Sequence, residues 1–271
     1  MNYRHAYHAG NFADVAKHIA LVAILEYLKR KERGFVFIDT HAGRGLYDLL
    51  GAEATKTSEA LAGIEKIRHL QGPLPQPLAT YLELAQAAGA SKYPGSPLFA
   101  AHLLRPQDRL VAIEKHPEEA AALAKELAPY PRAQALAADG YDRLPPLLPP
   151  HERRGVILVD PPFEAVDEFR VLATTVTAAI RKFSTGVYMV WYPIKSAARA
   201  ASFCGELLAA GATSLLRLEI SRDESGEGMR AAGLLVINPP FGLDEQMASV
   251  GNYLRQPLAA RLSIRWLAGG P

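Results

Sequence analysis

The stretch Gly155-Val-Ile-Leu-Val-Asp160-Pro-Pro-Phe163 decides how the rest of the chain is read. Val156 to Val159 form an uninterrupted apolar, mostly β-branched run. Such a run is the mark of a strand buried on both faces of a parallel sheet. The strand ends at Asp160, because Pro161 and Pro162 remove two backbone donors in succession. Pro161 also biases Asp160 toward extended backbone. A carboxylate, stiff carbonyls and an aromatic ring are thereby placed at the carboxyl end of a central strand. In open α/β sheets that edge is where ligands bind.

This grouping suits a planar amine that must act as a nucleophile. The exocyclic nitrogen of adenine delocalises its lone pair into the ring. A carboxylate oxygen and a proline carbonyl can accept its two N–H groups, and an aromatic ring can stack on the base. Asp160-Pro161-Pro162-Phe163 resembles the catalytic loop of amino-methyltransferases that use S-adenosylmethionine. The plain alternative is a strand-to-helix turn in which Asp160 or Glu164 caps the next helix.

Bulk properties narrow the class. A chain of 271 residues, 49% hydrophobic and 21% charged, holds one large α/β domain or one domain with a small insert. A net charge of +2 and a pI near 8.6 rule out a strongly basic tail, so nucleic-acid binding would need a local patch. The single cysteine, Cys204, excludes an intrachain disulfide and suits a reducing compartment. The amino terminus has no apolar signal core, and no apolar run reaches membrane-spanning length. A cytoplasmic protein is expected.

Working outward, residues 1–10 read as a polar, aromatic arm with Tyr3, Arg4, His5, Tyr7 and His8. Asn11 caps a helix running to about Arg33, with Asp14 in a capping-box-like position. Strands are expected at Phe35–Asp39, Arg109–Lys115, Gln134–Ala138, Gly155–Val159, Gly186–Trp191, Ser214–Ser221 and Gly233–Ile237. Helices are expected near Ser58–Leu70, Leu78–Ala88, Pro97–Leu104, Glu118–Leu127, Asp167–Phe183, Ser196–Ala210 and Asp244–Leu254. This alternation predicts a doubly wound sheet. The polar Ser221–Gly228 segment makes the last two strands an antiparallel pair. Seven strands ending in such a pair resemble the class I S-adenosylmethionine-dependent methyltransferase fold, a Rossmann-like α/β sheet. Residues 50–95 are too long for a simple crossover and are expected to form a helical insertion. The methyltransferase domain is then residues 1–49 and 96–271.

Three further strand ends carry acids. Asp39-Thr-His41-Ala-Gly43-Arg-Gly45 follows the first strand with the glycine spacing of a cofactor-binding turn. The third glycine of a dinucleotide fingerprint is missing, since Asp48 stands there. Glu114 ends the second strand, where a carboxylate can hold paired ribose hydroxyls. Asp139-Gly140 ends the third, in position for an adenine ring. With Asp160, four carboxylates on one edge repel unless donors or a ligand separate them.

Asn238-Pro-Pro-Phe241 is a second match to the catalytic pattern. It follows a strand expected to run antiparallel, so its end points away from the ligand edge, and a structural turn is predicted. His5-x-x-His8 lacks further ligands at metal spacing, and no metal site is expected. Lys17 and His18 lie one turn below the helix cap, either on a solvated face or near the cofactor. Arg4, Lys29, Arg30, Lys31, Arg33, Lys56, Lys66 and Arg68 are candidate phosphate contacts or ordinary surface charges.

The amino-terminal pattern Tyr3-Arg-His5-x-x-His8-Ala-Gly-Asn11-x-Ala-Asp14-Val-x-Lys17-His18 is specific. Together with Asp39-Thr-His41-Ala-Gly, Tyr93-Pro-Gly-Ser96-Pro, Trp191-Tyr-Pro193 and Val236-Ile-Asn-Pro-Pro240, it resembles the RlmJ-type bacterial 23S ribosomal RNA adenine-N6 methyltransferases along essentially the whole chain. The resemblance implies a monomer that transfers a methyl group from S-adenosylmethionine to one adenine of 23S ribosomal RNA, leaving S-adenosylhomocysteine. The RNA would be met free of ribosomal proteins or early in assembly, away from any membrane. Cofactor contacts are implied for Lys17, His18, His41, Gly43, Ser96, Glu114, Asp139, Gly140 and Asp160. Catalysis is implied for Asp160, Pro161, Pro162 and Phe163, with Tyr3 and His5 beside the acceptor base. Phe163 stands where the family usually has Tyr, which keeps stacking and loses a hydroxyl. Two other readings fit the motifs: an amino-methyltransferase of DNA adenine or protein glutamine, and a catalytically silent RNA-binding module.

Overall fold

The structure is a computed structural model and describes residues 5–222 and 229–270. Tyr3, Arg4 and most of the predicted Ser221–Gly228 loop lie outside the described residues. After a short 3-10 turn at His5–Tyr7 come α1 (Phe12–Lys29), β1 (Val36–Asp39), β2 (Leu46–Asp48), α2 (Ala52–Thr57), a 3-10 turn (Glu59–Ala62) and α3 (Ile64–Ile67). Then follow α4 (Gln76–Ala87), β3 (Lys92–Pro94), α5 (Ser96–Leu103), β4 (Arg109–Glu114), α6 (Pro117–Leu127), β5 (Ala133–Ala137) and α7 (Gly140–Arg143). After a 3-10 turn at Pro145–Leu147, the chain continues as β6 (Gly155–Val159), α8 (Glu168–Lys182), β7 (Val187–Pro193) and α9 (Ala197–Ala209). It ends with β8 (Leu215–Arg222), β9 (Ala231–Ile237), α10 (Leu243–Leu258) and β10 (Ala260–Ala268).

The main sheet has eight strands in the order β10-β8-β9-β7-β6-β1-β4-β5, one more than the sequence predicts. From β7 to β5 all pairings are parallel, and β9 is antiparallel to both β7 and β8. The added strand, β10, pairs antiparallel with β8 along the edge. Its Leu262, Ile264 and Trp266 alternate with Arg261, Ser263 and Arg265, the period of a half-buried strand. The region after β1 also departs from the seven predicted strands. There β2 and β3 form an antiparallel ribbon pairing Tyr47 with Tyr93. The predicted Ser58–Leu70 helix is broken at Gly63 into a 3-10 turn and the short α3.

The central strands bury both faces, which explains their unbroken apolar sequence. In β6, Val156 and Leu158 join one core with α1, α5 and α10. Ile157 and Val159 join the other with α8 and α9. Asn11 caps α1 as predicted, its Oδ1 accepting the Ala13 and Asp14 N–H groups at 2.9 Å each. The helix is no surface amphipath: Phe12 to Leu25 are all buried, because α4, α5, α10 and the sheet enclose it. Its polar residues Asp14, Lys17 and His18 are therefore inside the protein. Arg68, a candidate phosphate contact from sequence, is 3% exposed. Its guanidinium donates to the carbonyls of Ala85, Gly89 and Lys92, tying the loop before Tyr93 to the segment carrying α3.

Candidate active site

The carboxyl ends of β6, β1, β4 and β5 are neighbours in that order, so Asp160, Asp39, Glu114 and Asp139 line up along one edge. Asp160, Glu114 and Asp139 line a cavity of about 500 Å³, whereas Asp39 is fully buried and hydrogen-bonded to Ser96 of the cavity wall. Every predicted site residue from His5 onward lines this cavity: His5, Lys17, His18, His41, Gly43, Ser96, Glu114, Asp139, Gly140 and Asp160 to Phe163. Tyr3 lies outside the described residues.

Each acid has its own partner, which offsets part of the repulsion expected from four clustered carboxylates. Ser96 Oγ donates to Asp39 Oδ2 at 2.6 Å. Glu114 accepts the Gly43 N–H at 2.8 Å on one oxygen and the His116 N–H at 2.7 Å on the other. A carboxylate has about four lone-pair sites, so both oxygens retain capacity for hydroxyl donors. Asp139 accepts from Lys115 Nζ at 2.7 Å and from the Tyr141 N–H at 2.9 Å. These donors hold its carboxyl below the usual range against the opposing effect of burial. Asp160 Oδ2 accepts from Lys17 Nζ.

Lys17 is the hub on the other side. Its ammonium also donates to Asp14 Oδ1 at 2.7 Å. Burial opposes its charge, but the two carboxylates outweigh burial and hold the lysine above its ordinary range. Asp14 Oδ2 in turn accepts from the Gly10 N–H at 2.9 Å and lies 2.9 Å from His5 Nε2. His5 is thus anchored beside Tyr47, edge-on at 5.2 Å between ring centres. His8 pairs with Glu59 at 2.8 Å, and Asn11 donates to the other Glu59 oxygen at 2.9 Å, fastening the arm to the region after β1.

Space is as specific as charge. Gly43 has φ +63°, and a Cβ there would lie 2.0 Å from Tyr47 Oη. A Cβ on Gly140 would lie 2.0 Å from the Thr40 carbonyl oxygen. Both glycines keep backbone at the cavity wall where a side chain has no room. Phe163 has φ +52° and turns back against Trp191 and Phe169, with ring centres 5.8 and 4.8 Å away. A non-glycine residue in the left-handed region is uncommon and marks a position defined by its surroundings.

The profile of the family described as ribosomal RNA large subunit methyltransferase D, RlmJ, matches residues 32–268. The chain belongs to the RlmJ family. It is 39% identical to ribosomal RNA large subunit methyltransferase J of Escherichia coli, over 98% of this chain and 99% of that relative. It is 37% identical to the protein of the same description from Haemophilus influenzae, over 98% and 97%. A crystal structure of a Legionella pneumophila protein superposes with a TM-score of 0.88 at 34% identity, covering 95% of this chain and 98% of that one. A probable spermidine synthase from Corynebacterium glutamicum shares the fold alone, at a TM-score of 0.52 and 13% identity.

For this RlmJ-family chain the second Pro-Pro-Phe motif is sorted by topology. Because β9 is antiparallel to β7, Asn238 sits at the opposite sheet edge from Asp160. Its side-chain amide donates to the Ser184 and Gly186 carbonyls at 2.8 Å each, and Phe241 is 84% exposed. The motif is a turn, as predicted.

Sequence reading missed Asp14 as more than a cap, together with Tyr47, Glu59, Trp191 and Lys195 as cavity residues. The i, i+3 spacing of Asp14 and Lys17 was the available signal. Among the described residues, no cluster of potential ligands fits a metal ion, and no helix is long and apolar enough to cross a membrane.

Asp39 sets a pH dependence. Burial first, then the charge of Asp160, pushes its carboxyl up from 3.8 to about 7 against the Ser96 hydrogen bond. The folded state therefore binds this proton more tightly than the unfolded state. Its contribution to stability is complete below about pH 4 and is lost as pH rises through about 7. Asp39→Asn removes the dependence, so the ligand-free variant gains stability relative to wild type between pH 5 and pH 8 in denaturant titrations. A constant difference across that range would contradict the assignment.

Proposed function

We propose that the chain uses S-adenosylmethionine to methylate the N6 amine of one adenine in 23S ribosomal RNA by direct in-line transfer. One observation carries this reading: the Asp160 carboxylate and the Pro161-Pro162-Phe163 loop line the same cavity as Glu114 and Asp139. Lys17 occupies Oδ2, and among the described residues nothing donates to Oδ1.

The cavity fits the cofactor. Glu114 has free acceptor capacity for two ribose hydroxyls, and Asp139 and Gly140 form the wall expected for the adenine ring. Asp160 supplies negative charge for the cationic part of the ligand. Gly43 and Gly140 keep the walls clear. When bound, S-adenosylmethionine supplies a methyl group made electrophilic by its sulfonium.

The remaining chemistry belongs to side chains of this protein. Asp160 Oδ1 and the Pro161 carbonyl accept the two N–H groups of the adenine amine and turn its lone pair toward the methyl carbon. Extruding the base costs a few kcal/mol. Stacking on Phe163, worth roughly 1–3 kcal/mol, offsets part of that cost. Lys17 pins the Asp160 carboxylate in one orientation. Alignment of the amine is the largest contribution. The amine loses a proton during or after N–C bond formation, so Asp160 need not deprotonate it first. His5, fixed by Asp14, faces the acceptor side from the arm.

Methyl incorporation from labelled S-adenosylmethionine into protein-stripped large-subunit RNA, with DNA and protein as parallel acceptors, tests the proposal. Mass mapping should find N6-methyladenine at one position in the RNA. Label in DNA or protein alone would refute the acceptor. Asn238→Ala should methylate at near wild-type rate while losing about 1–2 kcal/mol of stability, because two hydrogen bonds, one exposed and one partly buried, disappear. Loss of turnover in a folded Asn238→Ala protein would move catalysis to the other motif.

A further inference from the structure

Below the catalytic loop, three polar groups form a short chain inside the protein. His18 Nδ1 lies 2.7 Å from Tyr93 Oη, and Tyr93 Oη lies 3.2 Å from Tyr81 Oη. All three are buried, at 1%, 0% and 0% exposure. The rings are locked against Phe99, with centres 5.0, 5.9 and 5.1 Å away for His18, Tyr93 and Tyr81. His18 lines the cavity, whereas neither tyrosine reaches it.

Counting protons fixes the direction of this chain. Two contacts hold at most two protons. Tyr81 can donate to Tyr93 and Tyr93 to Nδ1, and then both hydroxyls are satisfied. If Nδ1 carried a proton instead, three protons would compete for two contacts. One buried O–H would then lack an acceptor, since among the described residues Tyr81 has no other hydrogen-bond partner. A buried unsatisfied donor disfavours that arrangement on the order of tenfold to hundredfold. Burial and the neighbouring Lys17 charge also keep the imidazole neutral, so it has a single N–H to place. Both tyrosines stay protonated, because burial raises them above the ordinary phenol range.

We infer that Tyr93, backed by Tyr81, is a positioning residue that holds His18 as the Nε2–H tautomer and so makes it a hydrogen-bond donor toward the cavity. The ligand atom met there is an acceptor, a carboxylate or hydroxyl oxygen of the cofactor. This part of the inference rests on the cofactor reading above; the tautomer does not. Tyr93 stands in the ribbon that precedes Ser96, so one short segment both sets the His18 proton and positions the Ser96 hydroxyl on Asp39.

The test is long-range nitrogen–proton NMR on full-length, histidine-labelled protein, paired with calorimetry using S-adenosylhomocysteine. In wild type, His18 Nδ1 should give the unprotonated ring-nitrogen signal across neutral pH. Tyr93→Phe should populate both tautomers and weaken S-adenosylhomocysteine binding by roughly threefold to tenfold, the worth of one misdirected hydrogen bond. Tyr81→Phe should keep the Nε2–H form, since Tyr93 still donates to Nδ1, and serves as the folded control. A protonated Nδ1 in wild type overturns the proposal. So does Tyr93→Phe with unchanged tautomer and affinity. Wild type with the expected tautomer but no S-adenosylhomocysteine binding would refute the cofactor reading and leave the relay standing.

Discussion

Asp160→Ala should reduce methyl transfer to RNA by at least about 10²-fold, the cost of removing one preorganised polar partner of a reacting group. The fold should survive, because Lys17 keeps Asp14 as its counter-ion and Asp160 is partly exposed, at 16%. Single-turnover transfer with saturating cofactor isolates the step. Asp160→Asn should do little better, and the reason lies in Lys17. An ammonium has only donors, so it draws the amide oxygen of Asn toward itself. The amide N–H₂ then faces the adenine amine, donor against donor. A carboxylate meets both demands at once. Asp160→Ala turning over within tenfold of wild type would remove Asp160 from the reaction.

Lys17→Met should cost about 3–5 kcal/mol of stability, the range for removing one member of a buried ion pair. Asp14 and Lys17 are each 4% exposed at the side chain, so water does little to screen what is left. Asp14 and Asp160 would then face each other without the cation between them. Asp14 keeps His5 and the Gly10 N–H as partners, which limits the loss. Adding Asp14→Asn to Lys17→Met should recover part of the stability, since it deletes one of the two stranded charges. Denaturant midpoints with unchanged slopes give the comparison. A loss below about 1 kcal/mol, the range of a surface pair, would show that the triad is hydrated in solution.

Local chemistry was readable where one segment contains its own cause. The Val156–Val159 run, the Pro161-Pro162 stop, the Asn11 cap and the acids at Asp39, Glu114, Asp139 and Asp160 all fall where the sequence puts them. Strand direction, inferred from the missing helix between β8 and β9, also separated Asp160 from Asn238. The edge strand β10 was overlooked although its alternation is regular, and the three-residue strands β2 and β3 are too short to carry a period. Arg68 was read as surface because a buried arginine is unusual without partners. Here it pairs with Glu65 one turn earlier and also donates to three backbone carbonyls, which no composition reveals.

The sequence by itself determined that carboxylates, a glycine turn and an Asp-Pro-Pro-Phe loop would meet at one sheet edge, because strand periodicity and proline geometry act over a few residues. Only the tertiary structure decided how those groups are charged and aimed. Lys17 reaches Asp160 across 143 residues, and His18 reaches Tyr93 across 75. Pairings at that separation depend on how α1 is enclosed by the sheet and its neighbouring helices. Burial there turns two polar residues, apparently suited to a helix surface, into the counter-ion of Asp160 and a donor toward the cavity.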